Sequence, residues 1–300
     1  MENRKKLFYR QKVLLALLQS FGGKLASVEL QKYLFLFTQI CQKDKSYEFV
    51  PYKYGCFSFQ SYVDRRRLTE FGYLLENDNW LLSDDTDHVA SLKVDEAKKI
   101  KLFLEKYKTL KGDALIREVY TKFPYYATRS EIAATLLDKE ELNNVKSAVP
   151  DNEETCFFTI GYEGTSFENY LNRLIRNNVT LLCDVRKNPI SRKYGFSQKT
   201  LSETLKNLDI DYIHMPALGI VSDKRKILNS QADYNRLFDE YEKTILKANN
   251  DALQHLHTLV LKHNRVAITC FEAEVCMCHR GSVAKALEKL PEWDIEIKHI

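Results

Sequence analysis

Three polar clusters in the second half of the sequence each follow directly on an apolar run. They are Gly161-Tyr162-Glu163-Gly164, then Asp184-Val185-Arg186 with Pro189, Ser191 and Arg192, and last Cys270-Phe271-Glu272 with Cys276-Met277-Cys278-His279-Arg280. Glu163 and Glu272 have the chemistry of a general acid or base, or of an acceptor for a ribose hydroxyl. Asp184 can orient a neighbouring Arg or His. Arg186, Arg192 and Arg280 present paired N–H donors that match the oxygens of a phosphate or carboxylate. Cys278, beside His279 and Arg280 at an expected helix start, is a candidate nucleophile with a depressed thiol pKa. Cys270, Cys276, Cys278 and His279 could instead gather a metal, although C-x-C-H lacks the paired spacing of a structural zinc site. The spacing favours substrate positioning, then a nucleophile, then a metal, and no metal is assigned. Gly161 and Gly164 suit close approach of backbone to a ligand, but they form neither a G-x-G-x-x-G nor a phosphate-loop pattern. His214, ahead of Pro216 and Leu218-Gly219, either borders the same cleft or is a local structural histidine.

These clusters share a cleft only if the runs before them are strands of one sheet. Cys156–Ile160, Val179–Val185, Asp211–His214, Val266–Cys270 and Asp294–His299 read as strands. Between them lie helices capped near Thr165 or Ser166 and at Ser197, then Tyr234–Leu246, Leu253–Leu261 and Ser282–Leu290. Strand–helix alternation predicts a Rossmann-like α/β domain over residues 155–300, with a mainly parallel sheet covered on both faces. Ligands of such sheets bind at the carboxyl ends of the strands. The helix after Arg280 would add backbone N–H groups to the anion site.

Residues 1–145 read differently. Helices are predicted over Leu7–Phe21, through a stripe of Leu30, Tyr33, Leu34, Phe37, Ile40 and Cys41, and over Ser61–Phe71. Tyr73–Leu75 and Trp80–Leu82 flank a turn and predict a hairpin, and Val94–Tyr107 and Ala114–Phe123 add two further helices. This order is winged-helix-like. The polar segment Leu142–Glu154 separates the two patterns.

The positive charge sits at the front of the chain. Residues 1–72 hold 13 Lys/Arg against 6 Asp/Glu, whereas residues 73–150 hold 12 against 14 and residues 151–300 hold 20 against 21. A basic segment suits a phosphate-bearing partner, and Arg65-Arg66-Arg67 are its local candidates for nucleic-acid binding. No apolar run approaches the ~18 residues of a membrane span, so no membrane association is expected. The seven cysteines are odd in number and lack disulfide-framework spacing, which together with the absence of a signal-peptide pattern points to the cytoplasm.

Taken together, Thr159-Ile160-Gly161-Tyr162-Glu163, Asp184-Val185-Arg186 with Pro189 and Ser191-Arg192, Tyr212-Ile213-His214 before Leu218-Gly219, and Cys270-Phe271-Glu272 with Cys278-His279-Arg280 resemble the motifs of the domain-of-unknown-function 488 family over about Phe157–Leu290. Tyr162 stands where a histidine is common, and Phe271 where a small residue is usual. The resemblance implies a Rossmann-like fold in an intracellular prokaryotic protein and supplies no reaction or cofactor. Leu30-Gln31-Lys32-Tyr33-Leu34-Phe35 and Tyr52-Lys53-Tyr54-Gly55 with Ser58 resemble the Panacea antitoxin-like helical domains, with Cys56-Phe57 in place of the usual proline. That likeness implies a protein- or nucleic-acid-interaction module linked to phage conflict or toxin control. The function expected is therefore action on, or binding of, a nucleotide or nucleic acid in phage defence or DNA modification or repair. The alternative is a non-catalytic nucleotide-sensing or antitoxin-like regulator with a protein partner.

Overall fold

The computed structural model describes residues 5–83, 85–221 and 228–300. The chain divides into two compact units, residues 1–149 and 150–300. Helix α7 (Lys139–Ser147) occupies the first part of the segment read as a separator, so the non-helical stretch between the units is shorter than the sequence suggests.

In the first unit, α1 (Tyr9–Ser20) ends at Gly22 and Gly23, whose φ angles of 94° and 76° lie in the left-handed region that glycine adopts without a Cβ clash. The short strand β1 (Lys24–Leu25) leads into α2 (Ser27–Cys41). Every α2 residue from Leu30 to Thr38 is buried, because the helix runs through the centre of the unit and presents no solvent face there. The expected stripe ends early: Ile40 is exposed and Cys41 only half-buried.

Strands β2 (Val50–Tyr52) and β3 (Gly55–Phe57) form an antiparallel ribbon in which Pro51 lies opposite Cys56. A two-stranded ribbon has two edges, so the missing proline N–H is tolerated. Helix α3 (Phe59–Glu70) is capped by Ser58, whose hydroxyl accepts from the Ser61 amide. The predicted hairpin reduces to a Leu74–Leu82 bridge, and β4 (Trp80–Leu81) pairs with β1 instead. Helices α4 (Val94–Tyr107), α5 (Gly112–Lys122) and α6 (Ala133–Leu136) complete the unit with α7.

The second unit is built on β5 (Cys156–Gly161), β6 (Leu181–Asp184), β7 (Asp211–His214), β8 (Arg265–Cys270) and β9 (Glu296–His299). All pairings are parallel and the order is β7-β6-β8-β5-β9. The central strands β5, β6 and β8 are buried along their whole length, which explains their unbroken apolar runs. Helix α8 (Phe167–Arg176), capped by Ser166, follows β5, and α9 (Gln198–Lys206) follows β6. Helix α10 (Gln231–Tyr241), a π-turn at Glu242–Leu246 and α11 (Asn250–His263) lead into β8, and α12 (His279–Glu288) leads out of it.

The two faces of the sheet are distinguishable by their contacts. The Tyr170 hydroxyl of α8 donates to the Thr269 hydroxyl of β8 at 2.9 Å. Residues of α10, α11 and α12 share a core with Phe157, Leu181, Cys183, Val266, Ile268 and Cys270. Since side chains alternate along a strand, the chain leaves β5 for one face and the neighbouring β8 for the other. That divergence of adjacent strands opens a crevice at the carboxyl rim.

Candidate functional site

A cavity of about 380 Å³ lies in this crevice, lined by Tyr162 after β5, by Arg186, Lys187, Asn188, Ile190, Ser191 and Arg192 after β6, by Ile220, and by Cys270, Phe271 and Glu272 at the end of β8. Glu163 sits on the same loop as Tyr162, is exposed, and its carboxylate accepts from the Ala273 amide at 3.1 Å. Residues from three strand ends therefore meet, as the alternation predicts. What differs is how many of their polar groups are already committed to one another.

Asp184 and Arg186 are both buried and bind each other. The Arg186 backbone N–H and Nε donate to Asp184 Oδ1 at 3.1 and 2.8 Å, Nη2 donates to Oδ2, and the Tyr212 hydroxyl donates to Oδ2 at 2.7 Å. The remaining Arg186 nitrogen, Nη1, donates to the Tyr162 hydroxyl and the Phe196 carbonyl, each at 2.8 Å. Burial alone would lower the guanidinium pKa, but Asp184 holds it above its ordinary value. The Tyr212 hydroxyl is pushed up by burial and by the same carboxylate. This pair shapes the wall of the cleft and leaves Arg186 little capacity to receive an anion. Tyr162 stacks on Phe196 with centroids 4.2 Å apart and meets Phe271 edge-on at 5.3 Å.

Arg280 is likewise occupied. It lies in the first turn of α12, 1% exposed, and donates to the Glu272 carbonyl, to the Ala273 carbonyl at 2.6 Å and to Thr159 Oγ1 at 3.4 Å. It pins the loop after β8 to the end of β5. Gly161 permits that closeness, since a Cβ there would stand 1.9 Å from the Glu272 carbonyl oxygen. Helix α12 starts at His279 rather than at Ser282, and residues 278–284 are buried, so its N-terminus does not open onto the cleft as an anion site.

Cys278 departs from the expectation for a nucleophile. It is 1% exposed, and burial, together with its hydrogen bond to Cys270, raises its thiol pKa well above the ordinary value. His279 is fully buried, with Nδ1 3.6 Å from Cys270 Sγ and Nε2 3.1 Å from the Val185 carbonyl. The Cys270 thiol also lies 3.3 Å from Glu272 Oε2. The donor atoms of Cys270, Cys278 and His279 all fall within 4.8 Å of one another, the one such cluster among the described residues. Cys276 is exposed and outside it.

The polar groups that do face the cleft are the exposed Lys187, Asn188 and Arg192, the half-buried Ser191, whose hydroxyl accepts from the Lys193 amide at 3.1 Å, and Glu272. Phe271 is 43% exposed on the cleft lining, so part of its ring is left to solvent. His214 lies behind the wall, its Nε2 donating to the Arg186 carbonyl at 2.9 Å. Lys187, Lys193, Tyr212 and Phe196 join the site although the spacing of polar residues does not mark them as site residues. Lys193 donates to the Tyr162 carbonyl at 2.6 Å, and burial lowers its pKa. The position of Lys193 beside Arg192 in a strand-end loop was the available signal.

In the first unit, the three arginines of α3 have different surroundings. Arg65 donates to the carbonyls of Asn77, Asp78 and Asn79 and stacks over Trp80 at 4.9 Å, so it fastens the turn before β4. Arg67 lies over Phe8 and Phe71, 5.2 and 5.3 Å from their centroids. Arg66 is exposed. Asp64 is buried, bound by Arg10, Gln11 and Tyr47. Lys32 is buried as well, donating to the carbonyls of Tyr54 and Cys56, and burial lowers its pKa. No helix among the described residues is long and apolar enough to cross a membrane.

Searches of curated proteins and of solved structures give no match. Residues 166–287, which run from the cap of α8 into α12 and include Asp184, Arg186, Arg192, His214, Glu272 and Cys278-His279-Arg280 but not Gly161–Glu163, match the family model described as "Domain of unknown function DUF488", and the C-terminal half of the chain carries this family's match.

Proposed function

We propose that the C-terminal unit takes a phosphate-bearing ligand, a nucleotide or a nucleotide of a nucleic acid, into the crevice at the carboxyl rim and acts on it with Glu272 as acid or base. The observation that carries this reading is the composition of the cleft. Exposed Lys187 and Arg192 stand on one strand-end loop, the Glu272 carboxylate on another, and the partly exposed ring of Phe271 lies beside it. The cations suit a phosphate and the ring offers a face to a base, a contact worth about 1–3 kcal/mol. The volume of about 380 Å³ falls in the range of small-ligand pockets. The net +7 of residues 1–72 favours a polymeric form of the ligand, in a setting such as phage defence or DNA modification or repair.

The test is a set of binding titrations with labelled mononucleotides and short single- and double-stranded oligonucleotides. Lys187→Ala and Arg192→Ala should each weaken binding by about tenfold, as the loss of one charge-assisted contact implies. Glu272→Gln should bind normally and lose turnover. Undiminished affinity in the Lys187→Ala/Arg192→Ala double variant would remove the reading.

A second reading, recognition without turnover, is favoured by the commitment of Asp184 to Arg186 and Tyr212 and by the buried thiol of Cys278. The candidate nucleophile is thereby held in a structural role, and Asp184 orients a buried arginine. Recovery of the ligand chemically unchanged after prolonged incubation supports this second reading over catalysis.

A further inference from the structure

We propose that Cys270, Cys278 and His279 together bind one thiophilic divalent cation of the zinc class, at a site whose remaining coordination position opens toward Glu272 and the cleft. The inference stands whatever the cleft binds, because it rests on how three donors are brought together and held.

The placement follows from the fold. Cys270 is the last residue of β8, and it belongs with Val266 and Ile268 to the core shared with α10, α11 and α12. After it the chain leaves the sheet, makes a short 3-10 turn at Val275–Met277 and returns, so that Cys278 and His279 open α12 beside the strand end. The ligand pattern is thus Cys-x7-Cys-His, formed across a loop. It is not the local C-x-C-H, whose first cysteine, Cys276, is exposed and outside the cluster.

The distances fit one ion. Zinc–sulfur bonds of about 2.3 Å and zinc–nitrogen bonds of about 2.0–2.1 Å in tetrahedral geometry put neighbouring donors about 3.5–3.8 Å apart. Cys270 Sγ lies 3.6 Å from His279 Nδ1 and 3.3 Å from Glu272 Oε2, and all three proposed ligand atoms lie within 4.8 Å of one another. An ion at their centre therefore needs only a small contraction.

The imidazole is set in the form a metal requires. His279 Nε2 meets the Val185 carbonyl, which can only accept, so Nε2 carries a proton. In the neutral ring the lone pair is then on Nδ1, the nitrogen that faces Cys270. A backbone carbonyl fixing the tautomer of a histidine is the usual outer contact of a metal ligand. The Tyr241 ring packs edge-on against His279 at 5.7 Å and holds the ring's orientation. On binding, the two thiols release two protons to solvent, the imidazole remains neutral, and the thiolates balance the charge of the ion. No oxidant or reductant is involved.

The experiment uses the full chain, reduced and stripped with a chelator, titrated with Co²⁺. One equivalent should produce thiolate-to-cobalt charge-transfer absorption and the intense visible bands of a tetrahedral site. Both should vanish on addition of one equivalent of Zn²⁺. Cys276→Ser should leave the titration unchanged, whereas Cys278→Ser and His279→Gln should lose stoichiometric binding. Because substitutions at buried positions can unfold the unit, the wild-type titration decides alone: no charge-transfer band at stoichiometric cobalt overturns the proposal. Loss of the spectrum in a folded Cys276→Ser variant would overturn it as well.

Discussion

At the scale of single residues, the rim of the sheet is held by charges that face inward. Asp184 accepts from three Arg186 nitrogens and from Tyr212 in a fully buried setting, so removing its charge strands a guanidinium away from water. Breaking one partner of such a pair costs about 3–5 kcal/mol. Asp184→Asn is accordingly expected to lower the unfolding free energy of the second unit by that amount, read as a lower urea midpoint with the denaturant slope unchanged. Gly161 acts through space rather than charge. Its backbone is not in the left-handed region, yet a Cβ would stand 1.9 Å from the Glu272 carbonyl oxygen and 3.1 Å from the Arg280 guanidinium. Gly161→Ala must push the β8 loop outward, a strain of about 1–3 kcal/mol. Thermal unfolding should register that loss, and nucleotide titration should show weaker binding, because the Phe271 ring moves with the loop.

At the scale of elements, the N-terminus of α10 carries its own pH dependence. Ser230 caps the helix, and Asp233 accepts from the Ser230 hydroxyl and amide, from Arg236 and from the Asn229 amide. The Ser230 hydroxyl and Arg236 pull its pKa from 3.8 down to about 2. A depressed carboxyl pKa contributes stability that is complete above the unfolded value of 3.8 and is lost as the pH falls from there toward 2. Asp233→Asn should therefore be less stable than wild type at neutral pH. The gap in urea midpoints should close across that acid window; a gap constant from pH 6 to pH 2 would contradict the cap.

The elements were also the level most legible in the sequence. Cys156–Gly161, Leu181–Asp184 and Arg265–Cys270 are buried on both faces, so each appears as an unbroken apolar run ending in polar residues, and the site loops could be located from that alone. The pairing of those polar residues could not. Asp184 and Arg186 are two residues apart where the strand ends, which puts them on the same side of the extended chain, but that spacing does not reveal that they are buried against each other and against Tyr212. Arg280 is satisfied by main-chain carbonyls, which leave no trace in side-chain spacing. The approach of His279 to Cys270 depends on the path of a loop, and sequence spacing groups Cys276 with Cys270, Cys278 and His279 although it lies outside their cluster. Asp64 and Lys32 show the same limit in the first unit, where charged residue types are found fully inside.

At the scale of the whole molecule, charge is the property to test. The first quarter of the chain holds 13 Lys/Arg against 6 Asp/Glu, but not all of that charge is presented. Lys32 is buried, Arg10 is paired with Asp64, and Arg65 is bound to the turn before β4. Binding of double-stranded DNA, if carried by this surface, should weaken linearly in log–log plots as salt rises, with a slope of about −0.9 per phosphate neutralised. Arg66→Ala should make that slope shallower by about one such contact. Arg65→Ala should instead lower thermal stability, by freeing the Asn77–Asn79 turn. Affinity independent of salt would separate this surface from any nucleic-acid role.

The clamp made by Arg280 has a mechanical corollary. One guanidinium grips two successive carbonyls, at Glu272 and Ala273, and leans on Thr159 of the neighbouring strand. The root of the β8 loop is thereby anchored to the buried sheet, while the outer arch of the loop, exposed at Glu274, Cys276 and Met277, lies outside these three contacts. A guest entering the crevice must adjust itself to a carboxylate with a fixed origin. Differences in preference among proteins built this way would then come from the arch, whose sequence can change without disturbing the anchor.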